Sequence, residues 1–118
     1  MSKREPLLLL IDIIDSINKI KRYTTGQSFE DFMNDDKTTD AVIRNFEIIG
    51  EAANRISDEI KDEFPSVNWF RIRGFRNRIV HDYMGIDYGI VWNIIENDLD
   101  NLDLDIKTII EQLESREL

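Results

Sequence analysis

Ala41-Val42-Ile43-Arg44-Asn45-Phe46-Glu47-Ile48-Ile49-Gly50-Glu51-Ala52-Ala53-Asn54-Arg55-Ile56 carries the clearest apolar periodicity in the chain. Val42, Phe46, Ile49, Ala53 and Ile56 recur in steps of four and three, and Ile60 extends the series. Such steps put all six on one side of a helix that turns once in about 3.6 residues. A seam of this kind packs against neighbouring helices in a bundle or across a dimer. Arg44, Glu47, Glu51 and Arg55 form a charged row beside it. Glu47 and Glu51 repel at i,i+4, a small cost unless a basic residue sits between them. Two partners are open for this row: Arg55 on the same helix, pairing with Glu51, or an arginine from further along the chain.

Working outward toward the start, Leu7, Leu10, Ile14, Ile17 and Lys21 stand at helical spacing, with Ile13 and Ile20 alongside. They predict an amphipathic helix from Glu5 to about Tyr23. Pro6 suits its first turn, and Gly26 follows the basic Lys19, Lys21 and Arg22. Ser28-Phe29-Glu30-Asp31 reads as a cap opening one short helical turn, and Asp35 or Asp36 can cap the central helix.

Toward the end, Pro65 stops the central helix, and Ser66 and Asn68 are available to cap another that runs to about Tyr83. Ile72, Phe75 and Ile79 make its inward face. Gly74 weakens it by roughly 1 kcal/mol relative to alanine, so another backbone is expected to approach closely there. Gly85 ends it and Asp87 caps the last helix, where Val91, Ile95, Leu102, Ile106, Ile109 and Leu113 recur. No strand-like alternation appears. The expectation is an all-α fold in one domain, 1–118: an up-and-down four-helix antiparallel bundle with an additional short helix.

A chain of 118 residues can bury a modest core, which oligomerisation would supplement. There is no cysteine, so no disulfide framework or thiolate metal site. A single histidine rules out a cluster of imidazole ligands. The start, with its basic head and Leu7 to Ile11 run, is interrupted by Asp12 and Asp15 and lacks a small-residue cleavage site, so a soluble, cytoplasmic protein with no membrane partner is expected. The net charge of −9 argues against a surface that binds nucleic acid everywhere. Its distribution is uneven: Phe64 to His81 holds no acid, yet includes Arg71, Arg73, Arg76 and Arg78. Glu96 to Leu118 holds eight acids against Lys107 and Arg116. The basic strip can serve as a phosphate contact or as the complement of that acidic helix.

The strip leads into Arg76-Asn77-Arg78-Ile79-Val80-His81-Asp82-Tyr83. An imidazole with an ordinary pKa near 6.5 can take and return a proton at neutral pH. A guanidinium can hold phosphate oxygens through two hydrogen bonds and offset charge that builds in the transition state. RNA supplies its own nucleophile, the 2′-hydroxyl, so no cofactor is expected. A two-carboxylate metal site from Asp82 and Asp87 ranks below that metal-free reading. Structural roles compete at each position. A histidine near a helix end often caps the last turn, an isolated arginine is usually a surface ion pair, and Tyr83 falls near the apolar face. On a regular helix at about 100° per residue, Arg76 and His81 would stand about 140° apart. Either the helix loosens near His81, or two copies of the motif meet across a two-fold axis. The second is favoured, because it also gives the Gly74 surface a purpose.

Arg76-x4-His81-x-Tyr83 resembles the Arg-x4-His-x-Tyr motif of HepT-like toxins in the HEPN superfamily. The likeness extends over essentially the whole chain. It takes in Ala41 to Ala52, Phe64-Pro65 with Trp69, and Gly85-Ile86-Asp87-Tyr88 leading to Val91-Trp92 and Glu96-Asn97-Asp98-Leu99. The resemblance implies a four- or five-helix bundle, a homodimer, and a metal-independent endoribonuclease of a type VII toxin–antitoxin pair. It implies that His81 is the general base or acid, that Arg76 binds the scissile phosphate, and that Asn77 orients the site. The substrate would be tRNA or mRNA, and the products a 2′,3′-cyclic phosphate and a 5′-hydroxyl. It further implies an MNT-type nucleotidyltransferase antitoxin that attaches AMP to Tyr83 and blocks the RNA cleft. Two features depart from the family pattern. Phe70-Arg71-Ile72-Arg73 is more basic than usual, and Asp100 stands where many relatives carry proline. The competing expectation is a non-catalytic dimeric module that binds nucleotides or a nucleotidyltransferase partner.

Overall fold

The computed structural model describes residues 4–81 and 85–116, with the backbone alone described at Arg4, Val80 and His81. Helix α1 (Arg4–Thr24) is followed by the short α2 (Phe29–Met33) and by α3 (Asp36–Arg55). Then come α4 (Asp58–Glu63), α5 (Trp69–Arg73) and α6 (Phe75–Ile79). A two-residue ladder of β1 (Val80–His81) and β2 (Gly85–Ile86) precedes α7 (Tyr88–Asn97) and α8 (Leu99–Arg116). The fold is an all-α bundle: α1 lies along α3 and α8, α3 also packs on α5 and α6, and α7 joins α6 to α8.

Local chemistry explains the helix starts. Ser28 accepts from the Asp31 backbone N–H at 3.1 Å while the Asp31 carboxylate accepts from the Ser28 N–H at 3.0 Å, a reciprocal capping box. Asp35, rather than Asp36, caps α3, and Asn68 and Asp87 cap α5 and α7. The α3 seam is buried as its spacing requires, with Val42, Phe46, Ile49, Ala53 and Ile56 all almost wholly inaccessible. On α1 the buried row is Leu10, Ile13, Ile17 and Ile20, which leaves Lys21 to reach Asp100 at 2.7 Å. Asp100 is thereby paired with the first helix.

The expected long helices are interrupted. The central one ends at Ile56, whose extended ψ of 136° turns the chain before Ser57 caps α4. The last breaks at Asp98. The helix expected from about Ser66 to Tyr83 is two short helices divided at Gly74, and it ends at Ile79. Among the described residues of one chain, a Cβ at Gly74 would meet the carbonyl oxygens of Phe70 at 3.3 Å and Arg71 at 3.6 Å, both from α5 itself. Between elements, α3 meets α5 at Gly50, where a Cβ would be in ordinary van der Waals contact with the Arg73 and Ile72 carbonyls at 3.8 and 3.9 Å. Among the described residues, no helix is long and apolar enough to cross a membrane.

Neither partner expected for the charged row on α3 is found among the described residues. Arg55 turns to Glu5 of α1 at 3.7 Å instead of Glu51, and Arg44 pairs with Glu47 at 3.6 Å. Two arginines of the basic strip, Arg71 and Arg78, go instead to Asp98.

Candidate active site

α6 is five residues long, too short to be stable without packing. Its inner face supplies that packing. Phe75 and Ile79 are almost fully buried, and the Phe75 ring stands edge-on to Phe46 of α3, centroids 5.7 Å apart at 88°. With that face inward, Arg76 and Asn77 fall on the exposed side. The same alternation runs back through α5, where Trp69 and Ile72 are buried while Phe70, Arg71 and Arg73 are exposed. Trp69 is fixed by its indole N–H, which donates to the Phe64 carbonyl at 3.2 Å.

Beyond Ile79 the chain is extended. Val80 pairs with Ile86 and His81 with Gly85 in an antiparallel register. The Asp87 N–H closes the hairpin base by donating to the Ile79 carbonyl at 2.8 Å. Gly85 has φ +77°, a left-handed backbone that glycine adopts without steric cost. The helix therefore loosens before His81, the alternative ranked second from the sequence. The 140° separation of Arg76 and His81 belonged to a helix that is not there. Arg76 and Asn77 share the outer face of α6, and the His81 backbone follows in the adjoining strand. Tyr83 and Asp82 lie outside the described residues. Asp87 uses one carboxylate oxygen to cap α7, accepting from the Ile90 N–H at 3.1 Å.

The basic strip divides in two. Asp98, where α7 gives way to α8, accepts from Arg71 Nη2 at 2.7 Å and lies 3.8 Å from Arg78 Nη1. Arg78 also lies over the Phe75 ring, 6.0 Å from its centroid. These two arginines complement the acidic C-terminal segment. Arg73 and Arg76 face solvent, and neither has an acidic partner within 4 Å among the described residues. Lys61 of α4 joins them. Burial lowers the pKa of its ammonium, repulsion from Arg73 lowers it further, and Asp58 opposes the shift. On the β2 side of the hairpin a pocket of about 410 Å³ is lined by Phe29, Met33, Ile86 and Tyr88.

Asp98 belongs to the acidic segment offered as the complement of the basic strip, whereas Lys61 was not expected beside this region and Phe70 had no expected role. The signal for Phe70 was its place off the apolar series Trp69, Ile72, Phe75 and Ile79, which makes it an outward aromatic among arginines.

Comparison with known proteins gives a family and relatives. The family model described as "Ribonuclease HepT-like" matches residues 13–109. A Methanocaldococcus jannaschii protein provisionally named RNase MJ1380 is 36% identical over 109 residues, covering 92% of this chain and all of the relative. A second protein of that organism, provisionally named RNase MJ0127, is 33% identical over 117 residues, 99% of this chain and 97% of its own. A Thermococcus cleftensis protein named as a probable ribonuclease HepT is 37% identical over 100 residues, 85% of this chain and 91% of its own. No solved structure matches the chain.

Proposed function

Because this chain belongs to the HepT-like ribonuclease family, we propose that it is a metal-independent endoribonuclease acting through Arg76 and His81, the toxin of a toxin–antitoxin pair. The observation that carries the reading is Arg76 itself. It is a solvent-facing guanidinium with no acidic partner among the described residues, on a helix whose next turn is replaced by the strand holding His81. A buried or ion-paired arginine would have been spoken for. This one is open to an incoming phosphate.

In the proposed reaction, His81 accepts the proton of the 2′-hydroxyl as that oxygen attacks the adjacent phosphorus. The P–O5′ bond breaks, and the leaving oxygen takes a proton, giving a 2′,3′-cyclic phosphate and a 5′-hydroxyl. Arg76 holds the non-bridging oxygens and offsets the charge they gain. Asn77, beside Arg76 on the outer face of α6, orients the phosphate or the imidazole. A homodimer would set two such sites side by side. The partner is an MNT-type nucleotidyltransferase antitoxin, which transfers AMP to Tyr83 and so adds bulk and negative charge where RNA must enter.

The test is cleavage of tRNA and mRNA by protein freed of contaminating nuclease, with the products' ends mapped. Cleavage by the wild type, lost in both Arg76→Ala and His81→Ala while the oligomer persists, is the expected result. Intact RNA in the wild-type lane, with the antitoxin absent, would sink the proposal and leave the non-catalytic binding module in its place. Intact mass after co-expression with a neighbouring nucleotidyltransferase tests the modification. An unchanged mass overturns that part alone.

A further inference from the structure

Three observations about α4 to α6 remain unused by the cleavage reaction. Phe70 is 84% exposed, the most accessible of the large hydrophobic residues described. It leaves apolar surface in water, and its ring makes no aromatic or cation–π contact among the described residues. Arg73 follows at i+3 on α5, and Arg76 lies beyond the break at Gly74, on α6. Residues three apart on a helix are surface neighbours, so Phe70 and Arg73 adjoin on α5, and the exposed Arg76 extends this row on α6, toward the His81 strand. Lys61 of α4 feels the positive charge of Arg73, partly offset by Asp58, and neither cation has a carboxylate within 4 Å among the described residues. Two like charges brought together in a protein of net charge −9 leave room for an anion between them.

We propose that this row is the track for single-stranded RNA, with an unpaired base stacked on Phe70 and a backbone phosphate between Arg73 and Lys61, one step from the phosphate held by Arg76. It rests on the reading of the chain as an RNA-cleaving enzyme and adds how the strand is held. The sign of the charge selects the occupant. No acidic residue occurs from Phe64 to His81, in a chain that is otherwise acidic, so the row complements a polyanion. The aromatic selects its form. A base in a duplex has its faces covered by its neighbours, whereas an unpaired base offers a face that stacks on a side chain irrespective of sequence. Asp98 sharpens the track by drawing Arg71 and Arg78 to the other flank, which leaves a single line of cations facing the strand.

The experiment is fluorescence anisotropy with a short single-stranded RNA, 2′-O-methylated throughout so that it is not cut, titrated across a salt series. Phe70→Ala should weaken binding about 5- to 100-fold and Phe70→Trp should retain it, as stacking requires. Arg73→Gln and Lys61→Gln should each reduce the slope of log K against log salt by about 0.7, the loss of one phosphate contact to a single strand. A merely structural role for either cation would leave that slope unchanged. Wild-type affinity in Phe70→Ala, an unaltered slope in Arg73→Gln, or no binding by the wild type would each overturn the proposal. So would a Phe70→Ala protein whose oligomeric mass changes while its affinity for RNA does not, since the row would then be a protein contact. Unmodified RNA separates the two readings. A wild type that binds through Phe70 but never cleaves defeats the ribonuclease mechanism and keeps the track; a wild type that cleaves with a KM indifferent to Phe70→Ala does the reverse.

Discussion

His81 lies directly opposite Gly85 in the short antiparallel ladder, and Gly85 takes φ +77°. Only three residues separate them in sequence, so the conformation of the glycine helps fix where the His81 backbone sits. A Cβ at Gly85 would meet nothing within 4 Å, which makes the effect of a substitution conformational and not steric. Gly85→Ala should cost about 1–2 kcal/mol for a left-handed alanine, read from urea unfolding. RNA cleavage should fall further than that loss explains at temperatures where the variant is folded. Gly85→Asn, which tolerates this region better, should fall between the two. A fully active, equally stable Gly85→Ala would mean that the hairpin does not position the histidine.

Asp98 binds the two arginines that the candidate site does not use. Its side chain is largely shielded, while Arg71 and Arg78 remain partly in water, so the pairs are screened and their worth is modest. Asp98→Asn should therefore lower stability by only about 1 kcal/mol. It should also release Arg71 and remove a negative charge near the row of cations. Binding of single-stranded RNA should tighten, with a steeper salt dependence. Binding that weakens in this variant would show that Asp98 organises the site through Arg78 instead of limiting its charge.

Phe75 anchors the short helix that carries Arg76. It is 2% exposed and set edge-on against Phe46. Phe75→Ala removes the ring and leaves a cavity beneath α6, a change that costs about 3–5 kcal/mol in a packed core. The expected outcome is a protein with a sharply lowered denaturation midpoint and hydrogen exchange accelerated first at residues 75–79. A small loss, under about 1 kcal/mol, would mean that α6 is held by the hairpin and not by its contact with α3.

The bundle and most helix starts could be read in advance because they are written locally. Ser28, Asp35, Asn68 and Asp87 each bond a backbone N–H three residues on, and nothing remote is needed to see it. The interruptions could not be read this way. The apolar series Val42 to Ile60 passes through the break at Ile56 and Ser57, because Ile60 still faces inward after the turn. The hairpin was hidden because two residues per strand are too few to show alternation. The division of the basic strip depends on Asp98, 27 residues from Arg71, and spacing within the strip cannot reveal so distant a partner. The same holds for Arg55, which bypasses Glu51 for Glu5 on another helix. The motif residues were named from their chemistry, but the path from Arg76 to His81 was drawn on a helix that ends too early.

Acid should loosen the start of α3. Asp35 has a lowered pKa, chiefly because its carboxylate accepts from the Thr38 hydroxyl at 2.7 Å and then from the Thr38 backbone N–H. A carboxylate with a lowered folded-state value contributes stability above its ordinary 3.8, and that contribution fades as pH falls through the folded value. Glu63, bonded to Arg116, and Asp100, bonded to Lys21, shift in the same direction. The wild type should thus lose stability below about pH 4. Asp35→Asn keeps a good cap but cannot titrate, so its loss between pH 7 and pH 3 should be smaller. Parallel curves for the two proteins would remove Asp35 from the acid response.

Arg76 offers the cleanest separation of chemistry from folding. Its side chain is exposed and has no acidic partner among the described residues, so Arg76→Ala should stay within about 0.5 kcal/mol of wild-type stability. Loss of a group that stabilises charge in the transition state lowers turnover by about 10²–10³-fold, and the same is expected here for RNA cleavage. Arg76→Lys keeps the charge but not the two-pronged geometry that matches phosphate oxygens, and it should recover binding more than turnover. Single-turnover rates at saturating protein, measured beside Kd for uncleavable RNA, distinguish the two effects. If Arg76→Lys cleaves at the wild-type rate, position 76 supplies only attraction for the strand, and the group that stabilises the transition state must be sought elsewhere.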